Sequence, residues 1–238
     1  MSFADAKPLD NDVGSWAPIL DNEQQPPGFR LDTIIVDLAN LQATIKHSNT
    51  FRHKVQDTEL LAQALDIDQR LQDWEESLPI SWLPSHVYGP SCIAPSIVAA
   101  GVYQSHCTVH CSLSVSGIWN RYYSSRIRVL TILQTFLPSE IMYHQQIQQL
   151  VDNICAVVPF HLGDRMETSE LGNKSVRYPT IRGEKLADEH YIIASAKGGI
   201  ILLEPLGLLM GRTDLREGQR EWIGGQIKRI YKLYRLGS

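Results

Sequence analysis

Apolar side chains recur at three- and four-residue steps along most of this chain, and that pattern predicts helices. The first helix is predicted from Leu31 to about Ile45, with its apolar positions on one face. A second helix is predicted over about 58–78, where Pro79 ends it. The same reasoning predicts helices over 97–136 with a kink near 112–117, over 139–154 with Ser139 as the N-cap and Pro159 just past the end, and over about 192–211 and 215–236.

Turn-forming residues separate these helices. Residues 1–30 carry several Pro and Gly among acidic and amide side chains, which favours an irregular N-terminal arm. Residues 83–95 are rich in Pro and predict a connection, and residues 161–188 predict a long loop. Because no stretch alternates apolar and polar positions for long, we predict an all-α fold with one helical domain over residues 31–238.

Composition limits the class of function. The chain has 238 residues, of which 43% are apolar, so it can bury a core, and its net charge is −4. An acidic balance argues against direct nucleic-acid binding. The most basic cluster lies in the last predicted helix, and we interpret it as a solvated face: Lys228, Arg229, Lys232 and Arg235.

Two features of the sequence bear on where the protein is located, namely its first residues and its longest apolar stretch. The first residues carry no basic segment followed by an apolar run, so we expect an intracellular protein of the nucleus or cytoplasm. The longest apolar stretch, residues 198–211, is interrupted by Glu204 and Pro205, so we expect no membrane span.

Metal and cofactor chemistry has weak support in the sequence. Two pairs of metal-binding residue types stand four apart on the predicted helix, namely His106 with His110 and Cys107 with Cys111. We interpret them as packing residues, because a zinc site needs ligands from a second element. The sequence has no phosphate-binding loop and no G-x-S-x-G motif, and the apolar context of Cys155 predicts an inert thiol. We therefore expect neither a metal nor a cofactor.

Four segments in a fixed order carry a family resemblance. They are residues 66–84 (DIDQRLQDWEESLPISWLP), 115–133 (VSGIWNRYYSSRIRVLTIL), 151–163 (VDNICAVVPFHLG), and 198–211 (GGIILLEPLGLLMG) with REWIGGQIKRI at 220–230. Together they resemble the C-terminal half of the regulatory domain of fungal zinc binuclear cluster transcription factors. The family's DNA-binding cluster needs six cysteines, whereas this chain has four and no C-x-x-C pair.

The resemblance implies an antiparallel helical bundle that senses small molecules or contacts co-regulators. The corresponding family helix reads Leu-Leu-Trp-Pro-Leu-Tyr, and here Glu204 and Gly207 replace its two aromatics. If that face is internal, the change opens a cavity with one carboxylate, and if it is external, Glu204 is a solvated side chain. The ligand-binding residues predicted for such a cavity are Tyr103, Trp119, Tyr122, Arg126, Glu204 and Gly207.

Two functions compete on this basis. The first is a transcription-factor-like protein without a DNA-binding module, which binds a small molecule or a protein partner and is linked to fungal secondary metabolism. The alternative is an enzyme of a natural-product pathway that catalyses cyclisation, isomerisation or dehydration with Glu204 as the acid. A third interpretation is a fragment with an uncovered hydrophobic face, which a homodimer would cover.

Overall fold

The computed structural model describes residues 25–48, 54–171, 173 and 175–236, and most of them are helical. The N-terminal arm predicted over residues 1–30 lies almost wholly outside the described residues. The helices and strands, in chain order, are α1 Pro27–Ser48, α2 Lys54–Glu76, β1 Ser85–Tyr88, α3 Pro95–Gly101, β2 His106–Val109, α4 Leu113–Phe136, α5 Ile141–Leu162, α6 Asp188–Ile193, α7 Gly199–Met210 and α8 Gln219–Tyr234.

Successive long helices pack against each other in antiparallel pairs. The start of α1 meets the end of α2, where the Trp74 indole N–H donates to the carbonyl of Pro27 at 2.7 Å. The start of α4 meets the end of α5 at Ser116 and His161. The start of α7 meets the end of α8, where the Gly199 amide donates to the Tyr234 hydroxyl at 2.9 Å. The predicted helical character is thus confirmed, and α4 and α5 supply the centre of the core.

The prediction of one long helix over 97–136 is wrong over the first third of that range. The helix α3 ends at Gly101, whose φ of +117° is outside the helical range, and Gln104 and Ser105 also have positive φ. The chain then forms β2, which pairs antiparallel with β1 so that Val87 faces Cys107. The fold is therefore mainly helical with a small two-stranded sheet, not purely helical.

The sheet also changes the placement of the histidine pair and the cysteine pair. His106 and Cys107 lie on β2, and His110 and Cys111 follow it, so the four side chains do not share a helix face. Alternation along a strand sends neighbouring side chains to opposite sides. Cys107 is fully buried, Cys111 is exposed, and both are free thiols.

The predicted bounds of the helix over 139–154 are also corrected. Pro159 lies inside α5, which continues to Leu162, and the N-cap of α5 is Glu140 where Ser139 was predicted. Pro205 lies inside α7, so the helix does not break there.

Between Asp188 and Met210 the backbone stays helical, and by length and composition alone this stretch is long and apolar enough to cross a membrane. Core helices share that property, and Leu202, Leu206 and Leu209 are fully buried.

Arg229 is buried, which corrects its assignment to the solvated basic face of the last helix, whereas Lys228, Lys232 and Arg235 are exposed as predicted. Its guanidinium donates to the carbonyls of Gly163 at 2.7 Å, Arg165 at 2.8 Å and Ala100 at 2.9 Å. Burial, and then the neighbouring Arg165, lower the pKa of Arg229 to about 10, so it stays charged at neutral pH. Arg165 is also fully buried and donates to the carbonyls of His161 and Leu162. The two cations thus satisfy the carbonyls at the C-terminal end of α5.

Candidate ligand-binding groove

A groove of about 670 Å³ lies on the outer surface of α4, between α1 and α7. Its walls are largely aliphatic and include Ile35, Leu113, Ile118, Ile200, Ile201 and Pro205. Small residues of α4, such as Gly117 and Ser124, keep the groove deep. A volume of this size and a mostly apolar lining are typical of small-molecule sites.

Two buried polar side chains of α4 line this groove without a hydrogen-bond partner. Asn120 and Ser124 are each 2% exposed, and neither the Asn120 amide nor the Ser124 hydroxyl has a partner among the described residues. They are one helical turn apart, so they lie on the same side of α4. Buried polar groups in proteins are nearly always hydrogen-bonded, and an unpaired group costs about 1–3 kcal/mol. Because these polar atoms are covered in the structure, a ligand would supply the missing hydrogen bonds once the two side chains turned toward the groove.

Charged side chains surround the groove. Arg121 pairs with Asp32 of α1, and Arg128 pairs with Glu204 of α7. The third cation, Lys197, is exposed and has no ion pair within the part of the chain that the structure describes. Because the two arginine pairs are partly exposed, each contributes little to stability.

A π-helical turn over Ala194–Gly198 sets the position of Lys197. The Tyr234 hydroxyl donates to the carbonyl of Ala194 and accepts from the Gly199 amide, so it holds both ends of the turn. Gly198 lies so close to α5 that a Cβ atom there would be 2.7 Å from the carbonyl oxygen of His161. Turns of this type insert one residue into a helix and are frequent at functional sites.

A second cavity lies farther along α4, beside Arg128. It has a volume of about 580 Å³ and extends to Thr131, Arg212 and Asp214. At its far end the Arg212 guanidinium donates to the Thr131 hydroxyl at 2.9 Å and to the Asp214 carboxylate at 2.7 Å. Arg128 therefore borders both cavities, and its partner Glu204 lines the first.

The structure separates the residues that were predicted to form one ligand site. Trp119, Tyr122 and Arg126 face α2 on another side of α4, where the Tyr122 hydroxyl donates to Glu75 at 2.5 Å. Arg126 forms a largely buried ion pair with Asp68 at 3.3 Å. Burial raises the pKa of Asp68, and Arg126 opposes this effect. These side chains hold α2 on α4.

The other predicted site residues lie elsewhere. Tyr103 packs on Trp222 of α8, with ring centroids 5.3 Å apart. Glu204 lies at the rim of the groove with 55% of its side chain exposed, and Gly207 faces open space. Of the six residues, only Glu204 lines the groove. The face that carries Glu204 and Gly207 is thus external, and the enclosed cavity that a buried general acid requires is not at this position.

A serine and a histidine also meet inside the core. The Ser116 hydroxyl and Nε2 of His161 are 2.8 Å apart, and Nδ1 of His161 lies 3.0 Å from the carbonyl oxygen of Gly198. Because a carbonyl only accepts, Nδ1 carries the proton and Nε2 accepts from Ser116. Burial lowers the pKa of His161 to about 3, and its side chain is fully enclosed. This pair therefore stabilises the core and cannot meet a substrate.

Metal-ligand geometry is absent from the described residues, where no three His, Cys, Asp or Glu side chains come close enough to hold an ion. Burial raises the pKa of the Cys155 thiol, in keeping with the inert role predicted for it.

Comparison with family models, curated proteins and solved structures gives no significant match.

Sequence reasoning missed Asn120, Ser124 and Lys197. The signal for the first two was present, because they are polar residues four apart in a helix whose buried positions are mostly apolar. The signal for Lys197 was absent, since its position depends on a π-helical turn that the apolar periodicity does not encode.

Proposed function

We propose that this chain is a small-molecule-binding domain of the kind that forms the regulatory half of fungal zinc binuclear cluster transcription factors. The observation that carries the proposal is the groove on α4, in which aliphatic walls surround the unpartnered side chains of Asn120 and Ser124. A ligand in the groove would gain from burial of apolar surface and would also satisfy these polar groups. Binding would therefore stabilise the folded protein.

The location of the groove supports the link to this family. Two of the four segments that carry the resemblance, residues 115–133 and 198–211, fall on α4 and α7. These helices form the floor and one wall of the groove. A binding role in the nucleus or cytoplasm, without direct contact to nucleic acid, agrees with the net charge of −4. A link to secondary metabolism remains part of the proposal through the family resemblance alone.

The proposal is tested by filling the groove. Ile200 lines it from α7 and is 45% exposed, so Ile200→Trp adds bulk to the groove without entering the core. Ile192 is 69% exposed on α6 and does not line the groove, so Ile192→Trp is the matched control. Each protein is incubated with a small-molecule extract of the organism that expresses it, and retained compounds are detected by native mass spectrometry.

We expect wild type and Ile192→Trp to retain the same compound and Ile200→Trp to lose it. Equal retention by all three proteins would place the binding site outside the groove. An absence of retained compounds in wild type would remove the support for a small-molecule sensor. Circular dichroism spectra that agree between the two variants show that any loss is local.

A further inference from the structure

We infer that the groove selects small amphipathic acids, in which an apolar body carries a carboxylate. This inference rests on the proposed function and names the chemical class of its ligand. Three observations support this choice of ligand. They are the charges at the rim of the groove, the lack of an ion pair between Lys197 and any described residue, and the order of apolar and polar groups along α4.

The side chains that line the groove have a net positive charge, whereas the whole chain has a net negative charge. Three basic side chains, Arg121, Arg128 and Lys197, line the groove with one carboxylate, that of Glu204, whereas the whole chain has a net charge of −4. A concave surface between low-dielectric walls concentrates the field of its charged groups. An anion is therefore favoured in the groove over a cation of the same shape.

Lys197 is the group that would contact the carboxylate. Arg121 and Arg128 are already paired with Asp32 and Glu204, whereas Lys197 has no ion pair with any residue that the structure describes. The first turn of α4 reaches the groove at Leu113 and Ser114, and the N-terminal end of a helix carries a partial positive charge. Lys197 precedes Ile201 by one turn, and Ile201 contacts the helix near Gly117. Lys197 thus lies toward the same N-terminal end of α4.

The rest of the groove suits an apolar body with one further polar group. From Ser114 to Arg128 the lined face of α4 extends over about 21 Å at 1.5 Å per residue. Ile118 and Ile201 offer aliphatic contacts along this length, and Asn120 and Ser124 provide both donors and acceptors between the two charged ends. A hydroxyl or carbonyl on the apolar body would satisfy them.

The test compares three probes with the same chain and different head groups, namely octanoate, 1-octanol and octylamine. Affinities are measured by isothermal titration calorimetry for wild type and for Lys197→Met. The control variant is Lys228→Met, because Lys228 is an exposed lysine of α8 that does not line the groove. Both changes remove one positive charge, so they alter the net charge of the protein equally.

We expect octanoate to bind more tightly than 1-octanol, and octylamine to bind least tightly. Lys197→Met should weaken octanoate binding about fivefold, the upper end for an ion pair that solvent reaches, and leave 1-octanol binding unchanged. Lys228→Met should change neither. Octanoate binding that is absent, no tighter than that of 1-octanol, or equally affected by both variants would overturn the inference. Retention from the extract, lost in Ile200→Trp, would still support the groove as a site for another class of ligand.

Discussion

At the scale of single residues, the groove shows a conflict between stability and binding. The side chain of Asn120 is buried, yet its amide has no partner among the described residues. Such a group lowers the free energy of unfolding, since it forms hydrogen bonds with water in the unfolded chain and none in the fold. A residue of this kind is retained where it serves another purpose, and the adjacent groove supplies one.

We expect Asn120→Leu to stabilise the free protein and to weaken ligand binding. Leucine has nearly the shape of asparagine without its polar atoms, so the free energy of unfolding should rise by about 1–3 kcal/mol. Urea denaturation measures the change in stability, and native mass spectrometry measures retention of the extracted compound.

The matched control for this change is Asn153→Leu. Asn153 lies on α5 and already accepts a hydrogen bond from Gln149 at 3.1 Å, so its replacement should bring no comparable gain. If Asn120→Leu lowers stability as much as Asn153→Leu does, the Asn120 amide has a partner in solution, and its assignment to the groove fails.

At the scale of elements, the apolar periodicity predicted most of the helices. It placed α1, α2 and α8 within a few residues of their ends, because one face of each helix is buried and the other is solvated. It failed at β2, where Cys107 and Val109 are buried on a short strand that lies between two helices and whose apolar residues also fit a helical pattern. The positive φ values at Gln104 and Ser105 that end the helical path leave no clear mark in the sequence.

The candidate site was less accessible to sequence reasoning than the fold. The ligand-site prediction for Glu204 assumed that the replaced aromatics leave an internal space. In the structure α7 continues through Pro205, and the face that carries Glu204 and Gly207 is exposed. Side chains that are distant in sequence, such as Lys197 and Ser124, come together only through the packing of α7 on α4. No local pattern encodes that packing.

The π-helical turn before α7 can be tested with two glycines of the same region. Gly198→Ala should lower the free energy of unfolding by about 1–3 kcal/mol, because the new methyl group would meet the carbonyl oxygen of His161 at 2.7 Å. Gly207→Ala is the control: no atom lies within 4 Å of its added Cβ, and alanine favours the helix by about 0.5–1 kcal/mol. Thermal unfolding should therefore move in opposite directions for the two variants. A Gly198→Ala protein as stable as Gly207→Ala would show that the turn is not locked against α5.

At the scale of the whole molecule, buried histidines make the stability depend on pH. Burial lowers the pKa of His161 to about 3 and those of His110 and His190 to about 4. In the unfolded chain a histidine has a pKa of about 6.5, so the unfolded state binds more protons than the fold below that pH. The contribution is fully present above about pH 6.5, and stability is lost as the pH falls toward 4.

His110 allows a direct measurement of this effect, because neither of its ring nitrogens has a hydrogen-bond partner among the described residues. At about pH 5 a histidine with a folded pKa near 4 should cost about 2 kcal/mol relative to neutral pH. His110→Leu should remove that part of the loss in urea denaturation at about pH 7 and about pH 5, while His47→Leu, on the exposed end of α1, should leave it unchanged. An unchanged loss in His110→Leu would mean that solvent reaches this ring, and that the packing between β2, α4 and α5 is more open than the structure shows.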